Sequence, residues 1–285
     1  MFPELSMYKF HSYVKLKERL GLFDAIVECN ELAIRELLFN IENSTSKNEY
    51  IKELSLRHKI KVDTFNTQAL TSRIRQFYIL SAYQQADQFL DEFRQEHKST
   101  CLSQWGDKNT GEADLDYVLR TLAENVTKGK KLIGEENYAA YQYYRKIRNR
   151  FAHSENDDES VDKDLPKVVE FSEFYKTRYS LSNVPNIYKN ISFDDFLLAT
   201  SVIKNIAQTF CYIFKPSNDL IAKKIKIQIA EEKASGKKTL EFKEINKVKN
   251  KPDRYLNAVN QYLRTHFGIF SHFDTQEIIE FLNAD

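Results

Sequence analysis

The chain has 285 residues, 42 Lys/Arg against 41 Asp/Glu, a formal net charge of +1 and 42% hydrophobic residues. This composition excludes an intrinsically disordered chain, and the balanced charge excludes a global field that would dictate a polyanionic partner. Only 7 Gly and 5 Pro occur, so helix breakers are few and an all-α protein is expected, with 20 Phe and 16 Tyr supplying large core residues and tyrosines for half-exposed surfaces. Residues 8–20 and 23–42 read as helices split near Gly21. The second carries a stripe of Phe23, Ile26, Val27, Ile34, Leu37, Leu38 and Ile41. Asn43-Ser44-Thr45-Ser46 reads as a loop followed by a short polar helix. Residues 66–97 form a long helix, 99–112 a loop, 113–126 an amphipathic helix through Leu115, Val118, Leu119, Leu122 and Val126, and 135–153 the next helix. Residues 165–178 follow as a helix. Residues 192–214, apolar nearly all round, make a central core helix, with Ser192 and Asp195 set as a capping box.

The last 70 residues change character. Residues 217–233 and 239–249 are Lys-rich, although the alternation IKIQI at 225–229 also fits a strand. Pro252 suits the first turn of a helix running to about His266, and Asp274 with Glu277 caps a final short one. Residues 215–264 hold 13 Lys/Arg and 6 Asp/Glu, a local +7. This region fits either a nucleic-acid-binding appendage using Tyr255, Tyr262 and Phe267, or a helical cap with a charged outer face. Three segments result: 1–62, an N-terminal helical part; 63–215, a helical bundle; and 216–285, a Lys-rich, mainly helical extension.

Cys29, Cys101 and Cys211 are widely spaced and form no CxxC or Cys/His ligand pattern. Free thiols in a reducing cytoplasm are therefore expected, with no metal and no cofactor. The first residues lack the apolar core of a signal peptide, and no uncharged apolar run is long enough to span a bilayer. A cytoplasmic protein without a membrane partner is the expectation. No Gly-rich phosphate loop, HExxH or G-x-S-x-G is present.

The chemistry concentrates in YYRKIRNRFAHSENDDES, residues 143–160. On a helical wheel, Ala140, Tyr144, Ile147 and Phe151 form one narrow apolar stripe. Arg148, Ala152, Arg145, Asn149 and His153 fall on the opposite arc, away from the core. Two readings fit this arc. It is a helix end where cations are favoured by the dipole, or it is a site for a phosphodiester. In the second, His153 moves a proton near neutral pH, Arg148 holds phosphate oxygens and Asn149 orients a neighbour. Arg145 and Arg150 would grip flanking phosphates. Residues 155–164 carry six Asp/Glu and one Lys, a local −5, and read as a solubilising loop or as carboxylates that shield the basic site.

Arg148-Asn149-Arg150-Phe151-Ala152-His153 resembles R-N-x-x-x-H, a form of the R-x4–6-H signature of the HEPN superfamily (higher eukaryotes and prokaryotes nucleotide-binding domains). The resemblance covers roughly residues 65–215 and implies a HEPN-type helical bundle. It also implies a metal-independent endoribonuclease in which the RNA 2′-hydroxyl attacks the adjacent phosphate, leaving a 2′,3′-cyclic phosphate. Arg148 and His153 would then be catalytic, with Asn149 as polar helper. The active site would be composite across a homodimer, and the role that of a toxin or antiphage effector with an antitoxin or regulatory defence subunit as partner. In one HEPN branch a Tyr two residues beyond the His accepts AMP. That position is Glu155 here, so this modification is not expected. A noncatalytic helical adaptor subunit of a defence complex is the alternative.

Overall fold

The computed structural model describes residues 8–63, 65–153, 159–234 and 245–284, and every regular element among them is helical. In chain order these are α1 (His11–Glu42), α2 (Lys47–His58), α3 (Thr67–Cys101), α4 (Asp114–Leu122), α5 (Val126–Ile133), α6 (Glu135–His153), α7 (Glu159–Asp162), α8 (Leu165–Val169) and α9 (Ser172–Tyr179). A 3-10 turn (Tyr188–Asn190) then leads to α10 (Phe193–Ile213), α11 (Asn218–Ala234), α12 (Pro252–Phe267) and α13 (His272–Asn283). An all-α protein is thus what the sequence folds into. The helices sort into two compact units assembled from discontinuous stretches, whose borders fall inside α1, α3 and α10.

The first unit contains the described residues of 8–16, 87–134 and 205–284. Its centre is aromatic. Phe93 meets Phe10 edge-on at 4.8 Å and lies 4.9 Å from Phe210. The first turn of α1 is capped from α3: Glu96 accepts from the Ser12 amide and hydroxyl at 2.9 and 2.8 Å, and from the His11 amide at 2.7 Å. Gly268 ends α12 with φ +62, and the Lys9 amide donates to its carbonyl at 2.8 Å. A Cβ there would stand 1.9 Å from the Lys9 carbonyl oxygen, so only glycine fits.

The sequence places one helix over 113–126, and the structure makes two. Glu124 turns left-handed (φ 68), and Asn125 starts α5 by accepting from the Lys128 amide at 2.9 Å. Gly129 then lets α5 approach Leu119 closely. The IKIQI alternation is helical within α11, with Ile225 buried. Ser271, rather than Asp274 with Glu277, is the N-cap of α13; its hydroxyl accepts from the Asp274 amide at 3.3 Å. Tyr255 and Phe267 are buried in this unit, which fits a helical cap and removes those two rings as platforms for bases.

The second unit contains 17–86 and 135–204, residue 64 and residues 154–158 excepted. α1 runs unbroken through Gly21. A heptad-spaced row of Leu20, Val27, Ile34 and Ile41, all buried, outweighs the roughly 1 kcal/mol helix penalty of one glycine. Ile26, expected on that stripe, is exposed. Glu31 is buried on the same face and accepts from Arg75 at 2.7 Å and Arg35 at 3.0 Å, so its charge is paired. The expected helix 165–178 is broken into α8 and α9 at Glu170-Phe171.

The capping box of α10 forms as read. The Ser192 amide donates to Asp195 Oδ2 at 2.8 Å, and the Asp195 amide donates to Ser192 Oγ at 3.2 Å. α10 has the length and hydropathy of a bilayer span, but Phe196, Leu198, Ala199, Val202, Ile203 and Phe210 are buried in the protein, as in a core helix.

Candidate functional site

Helix α6 carries the R-N-x-x-x-H stretch, and its bounds, Glu135–His153, are those read from the sequence. Two acids in the first turn, Glu135 and Glu136, suit the positive end of the dipole. What fixes the helix in place is a set of tyrosine hydroxyls. Tyr144 donates to Asp195 Oδ1 at 2.7 Å, and Tyr143 donates to the Asn186 carbonyl at 2.6 Å. From outside the helix, Tyr83 donates to the Tyr141 carbonyl and Tyr175 to the Glu136 carbonyl, each at 2.6 Å. All four rings are fully buried, not half-exposed as the composition suggested. Burial drives the four phenol pKa values upward, so they remain neutral donors.

Asp195 is the hub of this set. Besides Tyr144 and Ser192, it accepts from the Asn186 amide at 3.0 Å and the Asn186 side chain at 2.8 Å. Burial pushes its carboxyl upward, and the hydrogen bonds from Ser192, Tyr144 and Asn186 pull it back. The outcome is a capped α10, a fixed 183–192 connection and an anchored α6, all held by one carboxylate.

Ala140, Tyr144 and Ile147 are fully buried, as the apolar stripe requires, whereas Phe151, the fourth residue of that stripe, is only partly buried. The packing face is wider than that stripe, however, because Asn137, Tyr141 and Tyr143 are buried too. Arg148 lies about 80° around the helix from Ala140, between Asn137 and Tyr141. It therefore sits at the edge of the packing face and not on the solvent arc opposite it. Its guanidinium is half-buried near the Tyr83 phenol, and burial lowers its pKa while that phenol raises it. Arg148 Nη1 donates to Asn149 Oδ1 at 3.0 Å, so the two motif residues that precede His153 are in direct contact.

The other predicted residues separate. Arg145 donates to Gln142 Oε1 at 2.9 Å. Ala152 is exposed, leaving room beside Arg148. Arg150 stands about 200° around the helix from Arg148, so the two arginines cannot face one surface. The side chain of His153 lies outside the described residues, as do Glu155, Asp157 and Asp158. Of the acidic run, Asp162 accepts from the Tyr188 amide at 3.0 Å, and Asp164 pairs with Lys146. These two carboxylates are structural, which withdraws them from any shielding of the motif.

Arg150 opens instead into a cleft of about 410 Å³, lined by Asn66, Gln68, Ala69, Ser72, Arg73, Gln76, Phe151, Tyr188 and Lys189 as well. No local pattern in the chain marks this cleft, since Ser72 and Lys189, joined by a 2.8 Å hydrogen bond, are 117 residues apart. Among the described residues no group of three or more His, Cys, Asp or Glu is placed to hold a metal ion. No family model matches the chain, and no curated protein or solved structure is significantly similar to it.

Proposed function

We propose that the chain is a metal-independent endoribonuclease of HEPN type, with Arg148, Asn149 and His153 as its reactive set. The observation that supports this reading is the Arg148–Asn149 hydrogen bond, one turn before His153, on a helix whose position is fixed by buried tyrosines. A guanidinium oriented by a neighbouring amide is prepared to hold a phosphate and to stabilise charge gathering on it. The partly buried setting strengthens that electrostatic effect. His153 would take the 2′-hydroxyl proton or supply one to the leaving 5′-oxygen. Arg145 lies on the same side as Arg148 and would contact a flanking phosphate. By resemblance, two copies pair to complete the site, and the biological role is that of a cytoplasmic toxin or antiphage effector controlled by a partner subunit.

A second reading is a noncatalytic helical adaptor. The half-burial of Arg148 at the edge of the packing face of α6 favours it, because an arginine whose stem covers apolar surface has a structural use of its own.

The test is cleavage of single-stranded RNA in EDTA with mapping of the products. Ends bearing 2′,3′-cyclic phosphate, lost in His153→Ala with the circular dichroism spectrum retained, support the enzyme. Absence of cleavage under all activating conditions, with partner binding retained in His153→Ala, supports the adaptor.

A further inference from the structure

Helix α1 is apolar on two sides, and only one of them is covered. The row of Leu20, Val27, Ile34 and Ile41 is buried. On the opposite side, Leu22, Ile26, Leu32 and Phe39 fall within about 140° of arc. These four are 70%, 52%, 69% and 61% exposed. Gly21, Ala25, Cys29 and Ala33 run between them and are exposed too. From 21 to 39, Glu36 is the one charged residue on this arc. The face is about 27 Å long. With a fully exposed Leu, Ile or Phe taken as roughly 150–200 Å², the four large side chains offer about 400 Å² of apolar surface, and the small residues bring the face to about 500 Å². An apolar patch of this size on a soluble chain marks a contact surface. Two such faces together reach about 1,000 Å², the area at which specific protein interfaces begin.

The face is also shaped to receive a copy of itself. Gly21, Ala25, Cys29 and Ala33 follow one i+4 row and form a shallow groove, while Leu22 and Ile26 follow the next row and form a ridge. A ridge beside a groove on one helix is self-complementary. About a two-fold axis, the Leu22–Ile26 ridge of each copy enters the groove of the other. A lipid surface suits the face poorly, because the arc carries no Lys or Arg for headgroups.

The surrounding helices set this face apart from the R-N-x-x-x-H motif. α3 reaches α1 through Arg75, 2.7 Å from Glu31, and reaches α6 through Tyr83, 2.6 Å from the Tyr141 carbonyl. α10 meets α1 through Phe196, whose ring centroid is 5.7 Å from that of Phe23, and meets α6 through Asp195, 2.7 Å from the Tyr144 hydroxyl. α3 and α10 therefore stand between α1 and α6, and the outer face of α1 looks away from α6.

We propose that two copies of this chain pair through the outer face of α1, in a two-fold helix–helix contact centred between Ala25 and Cys29. This contact is not the one that would complete the motif, so it stands or falls apart from RNA cleavage.

The experiment is sedimentation velocity of the full chain under reducing conditions, from about 1 to 200 µM. An interface at the lower end of the size range should show a monomer–dimer equilibrium with a midpoint near 10 µM, to within about tenfold. Ala25→Arg and Leu32→Arg should each weaken the dimer by at least about 30-fold. Both residues are exposed, so the circular dichroism spectrum and thermal midpoint should stay those of the parent. Val169→Arg, at an exposed site on α8, which packs on α6, should leave the dimer unchanged. Cys29 supplies a second readout. It is exposed, whereas burial pushes the Cys101 and Cys211 thiols up to about 11 and about 12. A short bismaleimide should therefore join two copies through Cys29, and both Cys29→Ser and Ala25→Arg should lose the product. The proposal is overturned if the chain stays monomeric to 200 µM, if the dimer survives Ala25→Arg and Leu32→Arg, or if Val169→Arg weakens it as much. It is overturned as well if the chain floats with phosphatidylcholine vesicles and Leu32→Arg abolishes that flotation.

Discussion

Replacing His97 with Phe isolates a single proton's contribution to stability. His97 is buried in the first unit, with its ring centroid 5.7 Å from Phe93 and 5.8 Å from Trp105, and Nδ1 lies 3.0 Å from Ser103 Oγ. Burial lowers its pKa from 6.5 to about 4. Because the folded value is the lower one, the unfolded chain holds more protons between these limits. Stability is therefore full above pH 6.5 and is lost as pH falls toward 4. At about 1.4 kcal/mol per pH unit, His97 removes about 2 kcal/mol between pH 7 and 5, and about 3 kcal/mol by pH 4. Phe keeps the ring contacts and does not titrate. Loss of the Ser103 contact costs His97→Phe about 1 kcal/mol at every pH. Urea unfolding of both proteins at pH 7, 6, 5 and 4.5 gives the difference, in which background carboxylates cancel. The variant should be the less stable protein at pH 7 and the more stable one at pH 5. If the two stability curves fall in parallel over this range, the proton is not bound at His97 and the reasoning fails.

Four further outcomes follow from the geometry. Gly268→Ala should lower stability by more than about 2 kcal/mol in urea unfolding, because it combines a positive φ with a Cβ placed against the Lys9 carbonyl. Tyr144→Phe should cost about 1–3 kcal/mol in the same assay by removing one donor to the buried Asp195, and a cost near zero would show that this carboxylate is satisfied without it. Arg148→Met keeps a long unbranched side chain at this half-buried position but loses the charge. It should stay within about 1.5 kcal/mol of the parent in stability while any RNA cleavage falls by about 100-fold or more. Glu112 is held by Arg120 at 2.7 Å, which brings its pKa down to about 2; its stabilisation is present above pH 4.5 and disappears as pH falls through 2, a midpoint that NMR titration of its side-chain carbonyl reads directly.

The sequence disclosed α6 because its signals agree: acids at the start, a 3.6-residue apolar repeat, and no Gly or Pro within. It disclosed the α10 cap because Ser192 and Asp195 satisfy each other locally. It misplaced Arg148 because Asn137 and Tyr141 count as polar in a periodicity pattern, yet both are buried by contacts from elsewhere in the chain. Tyr83 reaches the Tyr141 carbonyl from 58 residues away, and Tyr179 donates to Asn137 at 3.1 Å. The cleft was hidden for the same reason, since its cations come from three elements. The two units were hidden as well, because each is assembled from separated stretches.

The tyrosines around α6 act on that helix as keys act on a shaft. Tyr143 and Tyr144 carry their hydroxyls outward to fixed acceptors, at a radius of at least about 5 Å from the helix axis. Turning the helix by only 20° would sweep each hydroxyl through about 1.7 Å, more than a hydrogen bond of 2.6–2.7 Å survives. The azimuths of Arg148 and Arg150 are therefore locked, and neither can be rotated into the other's place. Whatever binds on either side must bring its own adaptation, because this helix has none to offer.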